Sequence, residues 1–104
     1  MEAQNKPTVL ITGSEGNIGS VLKRTLADQY LVYTLDQNGE KSPTHQLVDL
    51  SDISALHLAF AIIPILDYVV HLGGDSREDA QWDSVEKNNI KGTRNAYECA
   101  LAKG

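Results

Sequence analysis

The clearest chemical signal in the chain is a set of three glycines spaced three residues apart. The segment reads Gly13-Ser14-Glu15-Gly16-Asn17-Ile18-Gly19. A diphosphate needs backbone N–H donors, no Cβ in its way and the positive end of a helix dipole. This turn follows a short apolar run and opens a helical pattern, so it offers all three. The sequence therefore predicts a dinucleotide-binding turn, and a purely structural turn is the alternative.

We expect each glycine of the turn to have a separate task. Gly13 allows the tight turn, Gly16 lets a ligand approach the backbone, and Gly19 lets the helix lie close to the sheet. The remaining cofactor-binding candidates within the turn are Ser14, Asn17 and Ile18.

Asp36 ends the second predicted strand, 23 residues after Gly13. A carboxylate at this place accepts hydrogen bonds from an adenosine ribose and repels a 2′-phosphate. No Lys or Arg lies between 37 and 40, and Lys41 is the first base. The pattern therefore favours NAD over NADP, and the alternative is an acid that merely ends a strand.

Asp49 and Leu50 follow the third predicted strand. An Asp at this place can accept a hydrogen bond from the adenine amino group while the leucine packs on the ring. Asp49 can equally help to cap the next helix. Both interpretations stay open at this point.

The fourth predicted strand ends in His71-Leu72-Gly73-Gly74. Two glycines at the carboxyl end of a parallel strand let a ligand lie across the backbone. We expect His71 to be a packed, hydrogen-bonded strand residue rather than a proton carrier. His45 and His57 have no partner at metal-ligand spacing, so we expect no metal site.

Polar residues after the fourth strand add weaker signals. Asn89 is a candidate for holding the backbone of a neighbouring strand, with ordinary helix-surface polarity as the alternative. Gly92 within a helical pattern indicates close packing or a kink, because glycine destabilises a helix interior by about 1 kcal/mol. Arg77 and Trp82 either line a substrate pocket or belong to ordinary surface packing.

Apolar periodicity supplies the elements that position these residues. It predicts the order β-α-β-β-α-β-α and an α/β fold with a parallel sheet and right-handed crossovers. We expect helices over about 17–28, from a cap at Ser51 or Asp52 to Pro64, and from a cap at Ser84 to about Ala102. The predicted strands are 8–12, 30–35, 45–48 and 65–72.

Composition limits the classes of function. The chain has 104 residues, one cysteine and a net charge of −5. One small domain is expected, without a disulfide framework. The acidic balance argues against nucleic acid as the main partner. Neither a signal peptide nor an apolar run of roughly 20 residues is visible, so we expect no membrane partner and a cytoplasmic location.

Together these motifs resemble the extended branch of the short-chain dehydrogenase/reductase superfamily, the NAD-dependent epimerases and dehydratases. The resemblance rests on the glycine turn, Asp36, Asp49-Leu50, His71-Leu72-Gly73-Gly74 and Asn89-Ile90-Lys91-Gly92-Thr93. It implies a Rossmann-like domain with NAD as cofactor. By position it assigns the diphosphate to the glycine turn and the adenosine ribose to Asp36. Adenine is assigned to Asp49 and Leu50, the nicotinamide side to Leu72, Gly73 and Gly74, and a structural role to Asn89.

Within that branch the chain looks most like uronate dehydrogenases, which oxidise a sugar or sugar acid by hydride transfer to NAD. This similarity implies a substrate-side role for Ser76, beside the candidate Arg77. Nucleotide-sugar epimerases and dehydratases are the alternative, and a non-catalytic nucleotide-binding module is another.

One departure from the family pattern concerns catalysis. The superfamily uses a Tyr-x-x-x-Lys pair, in which the lysine lowers the tyrosine pKa. The residues four places after the tyrosines are Thr34, Gln37, Leu72 and Leu101. We therefore expect no catalytic residue within 1–104 and no activity of the chain alone. The fold expected for the chain is the amino-terminal portion of a Rossmann domain, with sheet order 3-2-1-4, truncated before a fifth strand. An open edge on the fourth strand predicts a homodimer or marginal stability.

Overall fold

The central strand of the sheet is β1, Thr8–Thr12, and all five of its residues are buried. The computed structural model describes residues 6–74 and 81–103. An apolar, β-branched run without polar alternation is typical of a parallel strand covered on both faces. Its bounds agree with the prediction, since Pro7 and Gly13 flank it.

Three further strands complete one parallel sheet with β1: β2 (Leu31–Asp36), β3 (His45–Leu47) and β4 (Tyr68–His71). β2 and β4 pair with β1, and β3 pairs with β2. Their order is β3-β2-β1-β4, which confirms the predicted arrangement. Ile11 lies opposite Thr34 on one side and Val70 on the other. The carboxyl ends of β1, β2 and β4 therefore meet at one edge of the sheet.

Helices α1 (Asn17–Leu26) and α2 (Ile53–Ala61) follow β1 and β3. Asp52 caps α2 by accepting a hydrogen bond from the Ala55 N–H at 3.1 Å. Leu56 and Phe60 of α2 join Leu10 of β1 in the core, as their spacing predicts. Leu58 lies off this face and is 71% exposed.

The last helical stretch consists of α3 (Trp82–Ser84), a π-helical segment (Val85–Lys91) and α4 (Gly92–Lys103). The prediction that Ser84 caps this helix is wrong, because Gln81 precedes the first turn and accepts the Ser84 N–H at 3.0 Å. In the π segment the Gly92 N–H reaches back five residues to the Lys87 carbonyl. The wider turn shifts the helix face. Ile90, which a regular helical pattern from Ser84 predicts among the core residues, is therefore 54% exposed.

Other boundaries differ by a few residues. α1 ends at Leu26, two residues before the predicted end, and the chain leaves it through a tighter turn in which the Gln29 N–H donates to the Leu26 carbonyl at 3.2 Å. β4 begins at Tyr68 rather than at residue 65, since Ile65 is 69% exposed after the Pro64 break. Within the described ranges, no helix combines the length and apolar character needed to cross a bilayer.

Candidate functional site

A cavity of about 830 Å³ lies at the carboxyl edge of the sheet. It brings together the glycine turn, the ends of β2 and β4, and two polar residues of the last helix. A second cavity, about 520 Å³, lies at the amino-terminal ends of the strands and includes none of the predicted site residues. The described residues that line the first cavity are Gly13, Glu15, Gly16, Asn17, Ile18, Gly19, Leu35, Asp36, Gln37, Asn38, Val48, Leu50, Leu72, Gly73, Gly74, Ser84 and Asn88.

Gly13 forms the tight turn that the sequence predicts. Its φ of +72° lies in the left-handed region that side chains disfavour. A Cβ on Gly13 would lie 2.7 Å from the Gly73 nitrogen, so the turn packs directly against the end of β4. Gly19 is also required by packing, because its Cβ would collide with the Gly13 carbonyl oxygen. The helix therefore sits against the turn with no room for a side chain.

Gly16 differs from its two neighbours in the turn. Its φ of −78° and ψ of 178° suit any residue. A Cβ there would meet only the Gly13 carbonyl oxygen, at an ordinary contact distance of 3.5 Å. Neither backbone geometry nor packing within the described chain thus requires glycine at this position, which faces the cavity at the start of α1.

Asp36 joins the glycine turn to the loop after β2. Its Oδ2 accepts the Glu15 N–H at 3.1 Å, and its Oδ1 accepts the Asn38 N–H at 2.9 Å. Oδ1 also accepts the Asn38 side-chain amide at 3.5 Å, so both of its acceptor sites are used, whereas Oδ2 keeps one for a further donor. The side chain is half-buried on the cavity wall.

Leu50 forms the wall between the end of β4 and the last helix. A Cβ on Gly73 would collide with Leu50 Cδ1, and one on Gly92 would lie 3.0 Å from Leu50 Cβ. Close packing is therefore the reason for glycine at 92. The Asn95 side-chain amide fixes this segment by donating to the Leu50 carbonyl at 2.7 Å.

Asp49 is not among the described residues that line the cavity. Its Oδ1 accepts from the Ser51 N–H at 2.9 Å and the Ser51 hydroxyl at 2.8 Å, and its Oδ2 pairs with Lys87 Nζ at 3.1 Å. Partial burial raises the pKa of this carboxyl, but the Ser51 hydrogen bonds and the Lys87 ammonium hold it below its usual value. Its geometry is that of a turn-forming acid before α2, and its adenine contact stays a prediction.

His71 is the hydrogen-bonded strand residue that was expected. Its Nδ1 lies 2.6 Å from the Thr12 hydroxyl, and its Nε2 lies 3.0 Å from the Thr93 hydroxyl. The Thr12 oxygen already accepts the Leu72 and Gly73 N–H groups at 3.0 and 3.1 Å. Its single proton is therefore donated to Nδ1, so His71 is neutral and Nε2–H donates to Thr93. Burial lowers the pKa of His71, in agreement with the neutral form.

Seven residues of the cavity wall were not among the predicted site residues: Glu15, Leu35, Gln37, Asn38, Val48, Ser84 and Asn88. Two of them belong to the last helix. Asn88 Nδ2 donates to Ser84 Oγ at 3.1 Å, and both residues line the cavity. Their separation of four residues places them on one helical face, which is the signal that could have found them. The predicted residue Asn89 instead lies beside the end of β4, where a Cβ on Gly74 would come within 2.7 Å of its Oδ1.

Some of the predicted site residues are not among the described residues that line the cavity. Ser14 is fully buried beneath the turn, and Trp82 is 64% exposed outside the lining. Ser76 and Arg77 lie outside the described residues. The described ranges contain no group of three His, Cys, Asp or Glu side chains that could share a metal ion.

Comparison with curated proteins finds sugar dehydrogenases. The chain is 38% identical over 94 residues to an L-arabinose 1-dehydrogenase (NAD(P)(+)) of Haloferax volcanii, with 90% of this chain and 36% of the relative covered. It is 33% identical over 105 residues to an NAD-dependent glucose-6-phosphate dehydrogenase of the same organism, covering 92% and 39%. The chain thus spans less than two-fifths of the length of these relatives.

Among solved structures, the uronate dehydrogenase of Agrobacterium tumefaciens, in a point mutant complexed with NAD, is similar to the chain at a TM-score of 0.79 and 31% identity. That match covers 95% of this chain and 38% of the other. The sequence profile of the NAD dependent epimerase/dehydratase family matches residues 9–104, which include β1 from its second residue and every later described strand and helix. The chain therefore belongs to the NAD dependent epimerase/dehydratase family.

Proposed function

We propose that the cavity at the carboxyl edge of the sheet binds NAD. The observation that supports this proposal most directly is the glycine at position 16. Since neither its backbone angles nor its packing require glycine, a ligand that comes close to the backbone is the remaining physical reason for the missing side chain. The start of α1 adds N–H donors and a positive dipole end for the diphosphate at the same place.

The other walls suit the remaining parts of a dinucleotide. The remaining acceptor site of Asp36 Oδ2 suits a ribose hydroxyl of the adenosine half. Val48 and Leu50, both 7% exposed, offer an apolar surface on the adenine side. Leu72 and Gly73 line the cavity where we place the nicotinamide side of the cofactor.

We assign the substrate to the class of sugars and sugar acids, with hydride transfer to NAD as the reaction of the whole protein. The relatives' names support this class. The 104 residues contain no Tyr-x-x-x-Lys pair, so they hold no tyrosine whose pKa a lysine four places later would lower. We expect this chain alone to bind NAD without oxidising a sugar.

Calorimetric titration of the full chain with NAD tests the proposal. Saturable binding is expected, and Gly16→Leu should abolish it while the melting temperature changes little. Ala102→Leu is the control, since it places the same leucine side chain at an exposed position of α4 outside the cavity. Absence of binding at NAD concentrations up to about 1 mM, where a ligand gains only about 4 kcal/mol, would overturn the proposal.

A further inference from the structure

The end of the cavity next to Asp36 carries an ion pair that the proposed function does not use. Lys23 Nζ of α1 lies 2.7 Å from Glu15 Oε2. Glu15 lines the cavity, and its N–H donates to Asp36 Oδ2 at 3.1 Å. The described lining thus contains two carboxylates, Glu15 and Asp36, and no Lys or Arg. The Lys23 ammonium pairs with Glu15, but Lys23 itself is not among the residues that line the cavity.

We infer that Glu15 is a specificity-determining residue that disfavours a 2′-phosphorylated dinucleotide by occupying the Lys23 ammonium. The inference rests on the proposed binding of NAD. It adds a second discriminating group to Asp36, and its ligand class is the 2′-phosphate of an adenosine ribose.

The first step of the argument is that Glu15 is held in place. Besides Lys23, its Oε2 accepts a hydrogen bond from the Ser14 hydroxyl at 3.3 Å. The loop after β2 packs over the same side chain, because a Cβ on Gly39 would come within 2.9 Å of Glu15 Cδ. The Lys23 hydrogen bond also lowers the pKa of Glu15, so the carboxylate is charged at neutral pH. The Glu15 carboxylate is therefore held beside Asp36 and stays paired with the Lys23 ammonium.

The second step concerns the charge that a 2′-phosphate would meet. A phosphate monoester carries roughly −1.5 to −2 charges at neutral pH. Asp36 repels it, while Glu15 and Lys23 cancel each other at 2.7 Å. Their side chains are 30% and 34% exposed, so water screens the pair only in part. Without the Glu15 charge, the Lys23 ammonium would be an unpaired cation close to the position of the Glu15 carboxylate, and its attraction for the phosphate would offset the repulsion by Asp36.

The experiment compares the dissociation constants of NAD and NADP for the full chain by calorimetry. In Glu15→Gln we expect the ratio of the NADP constant to the NAD constant to fall roughly tenfold. Adding Lys23→Gln to that variant should return the ratio towards the wild-type value, because the freed cation is then absent.

The matched control is Glu98→Gln, which removes a carboxylate paired with Arg94 at 3.7 Å, outside the described cavity lining. It changes the net charge equally and should leave the ratio unchanged. NAD binding with a ratio that Glu15→Gln does not lower, or lowers no more than Glu98→Gln does, would overturn the inference alone. A wild-type chain that binds neither dinucleotide would overturn the proposed function and this inference with it.

Discussion

The Thr12 hydroxyl donates its proton to Nδ1 of His71 across 2.6 Å and so ties β1 to β4 at the edge where the cavity lies. The same oxygen accepts the Leu72 and Gly73 N–H groups that form one wall. Protonation of His71 would place a second proton between these two atoms. The arrangement therefore depends on a neutral histidine.

Acidification should destabilise the fold through His71. Burial lowers its pKa in the folded chain, so the unfolded chain binds the proton first as the pH falls. The contribution of neutral His71 to the free energy of unfolding is fully present above the unfolded pKa of about 6.5 and is lost as the pH drops below it. Urea unfolding at about pH 7.5 and pH 5.5 measures the loss.

The variant His71→Gln should show a smaller loss of unfolding free energy between the two pH values. A glutamine keeps hydrogen-bonding capacity but does not titrate. His57→Gln is the control, since His57 is exposed on α2. Equal pH dependence in wild type and His71→Gln would contradict the prediction.

Substitutions in the glycine turn should show that stability depends on Gly19 but hardly on Gly16, which we assign to ligand binding. Gly16→Ala is expected to change the unfolding free energy by no more than about 1 kcal/mol, because the site at the start of α1 has room for a Cβ. Gly19→Ala should cost about 2 kcal/mol or more, because its Cβ would collide with the Gly13 carbonyl. Thermal melts of both variants make the comparison, and equal melting temperatures would show that the turn is not packed as described.

Leu50→Ala should lower the unfolding free energy by about 2–4 kcal/mol, since the residue is 7% exposed and fills the space beside Gly73 and Gly92. It should also weaken NAD binding by removing the apolar wall. Leu58→Ala removes the same atoms from a side chain that is 71% exposed, and its effect should stay below about 1 kcal/mol. Chemical denaturation of the two variants side by side checks the difference.

Self-association is expected at β4. In the described sheet this strand pairs with β1 on one side, and its other edge presents unpaired backbone groups next to Tyr68, which is 57% exposed. Light scattering after size exclusion should detect a dimer that dissociates on dilution, or else the chain should melt at low temperature. A stable monomer with a sharp cooperative melt is the outcome that contradicts this prediction.

Local sequence patterns were sufficient to predict the elements at the edge of the sheet where the cavity lies. Pro7 and Gly13 bound β1, and the glycine spacing placed α1 directly after it. Asp36 could be assigned to the end of β2 because hydrophobic runs in parallel strands stop where the sheet stops. These features depend on residues close together in the chain.

The last helix could not be derived in the same way. Its π segment ends at Lys91, just before Gly92, which packs on Leu50 from a distant part of the chain. A 3.6-residue period therefore misplaced Ile90. Such departures depend on tertiary contacts, which periodicity does not contain.

The bond between Thr12 and His71 joins residues 59 positions apart. Closing so long a loop is entropically costly, whereas β1, α1 and β2 are contiguous, so we expect β4 to dock late in folding. The glycine turn belongs to the early segment and Leu72 and Gly73 to the late one. The cavity is therefore complete only when the last strand has docked, and a bound dinucleotide would report that the whole sheet has assembled.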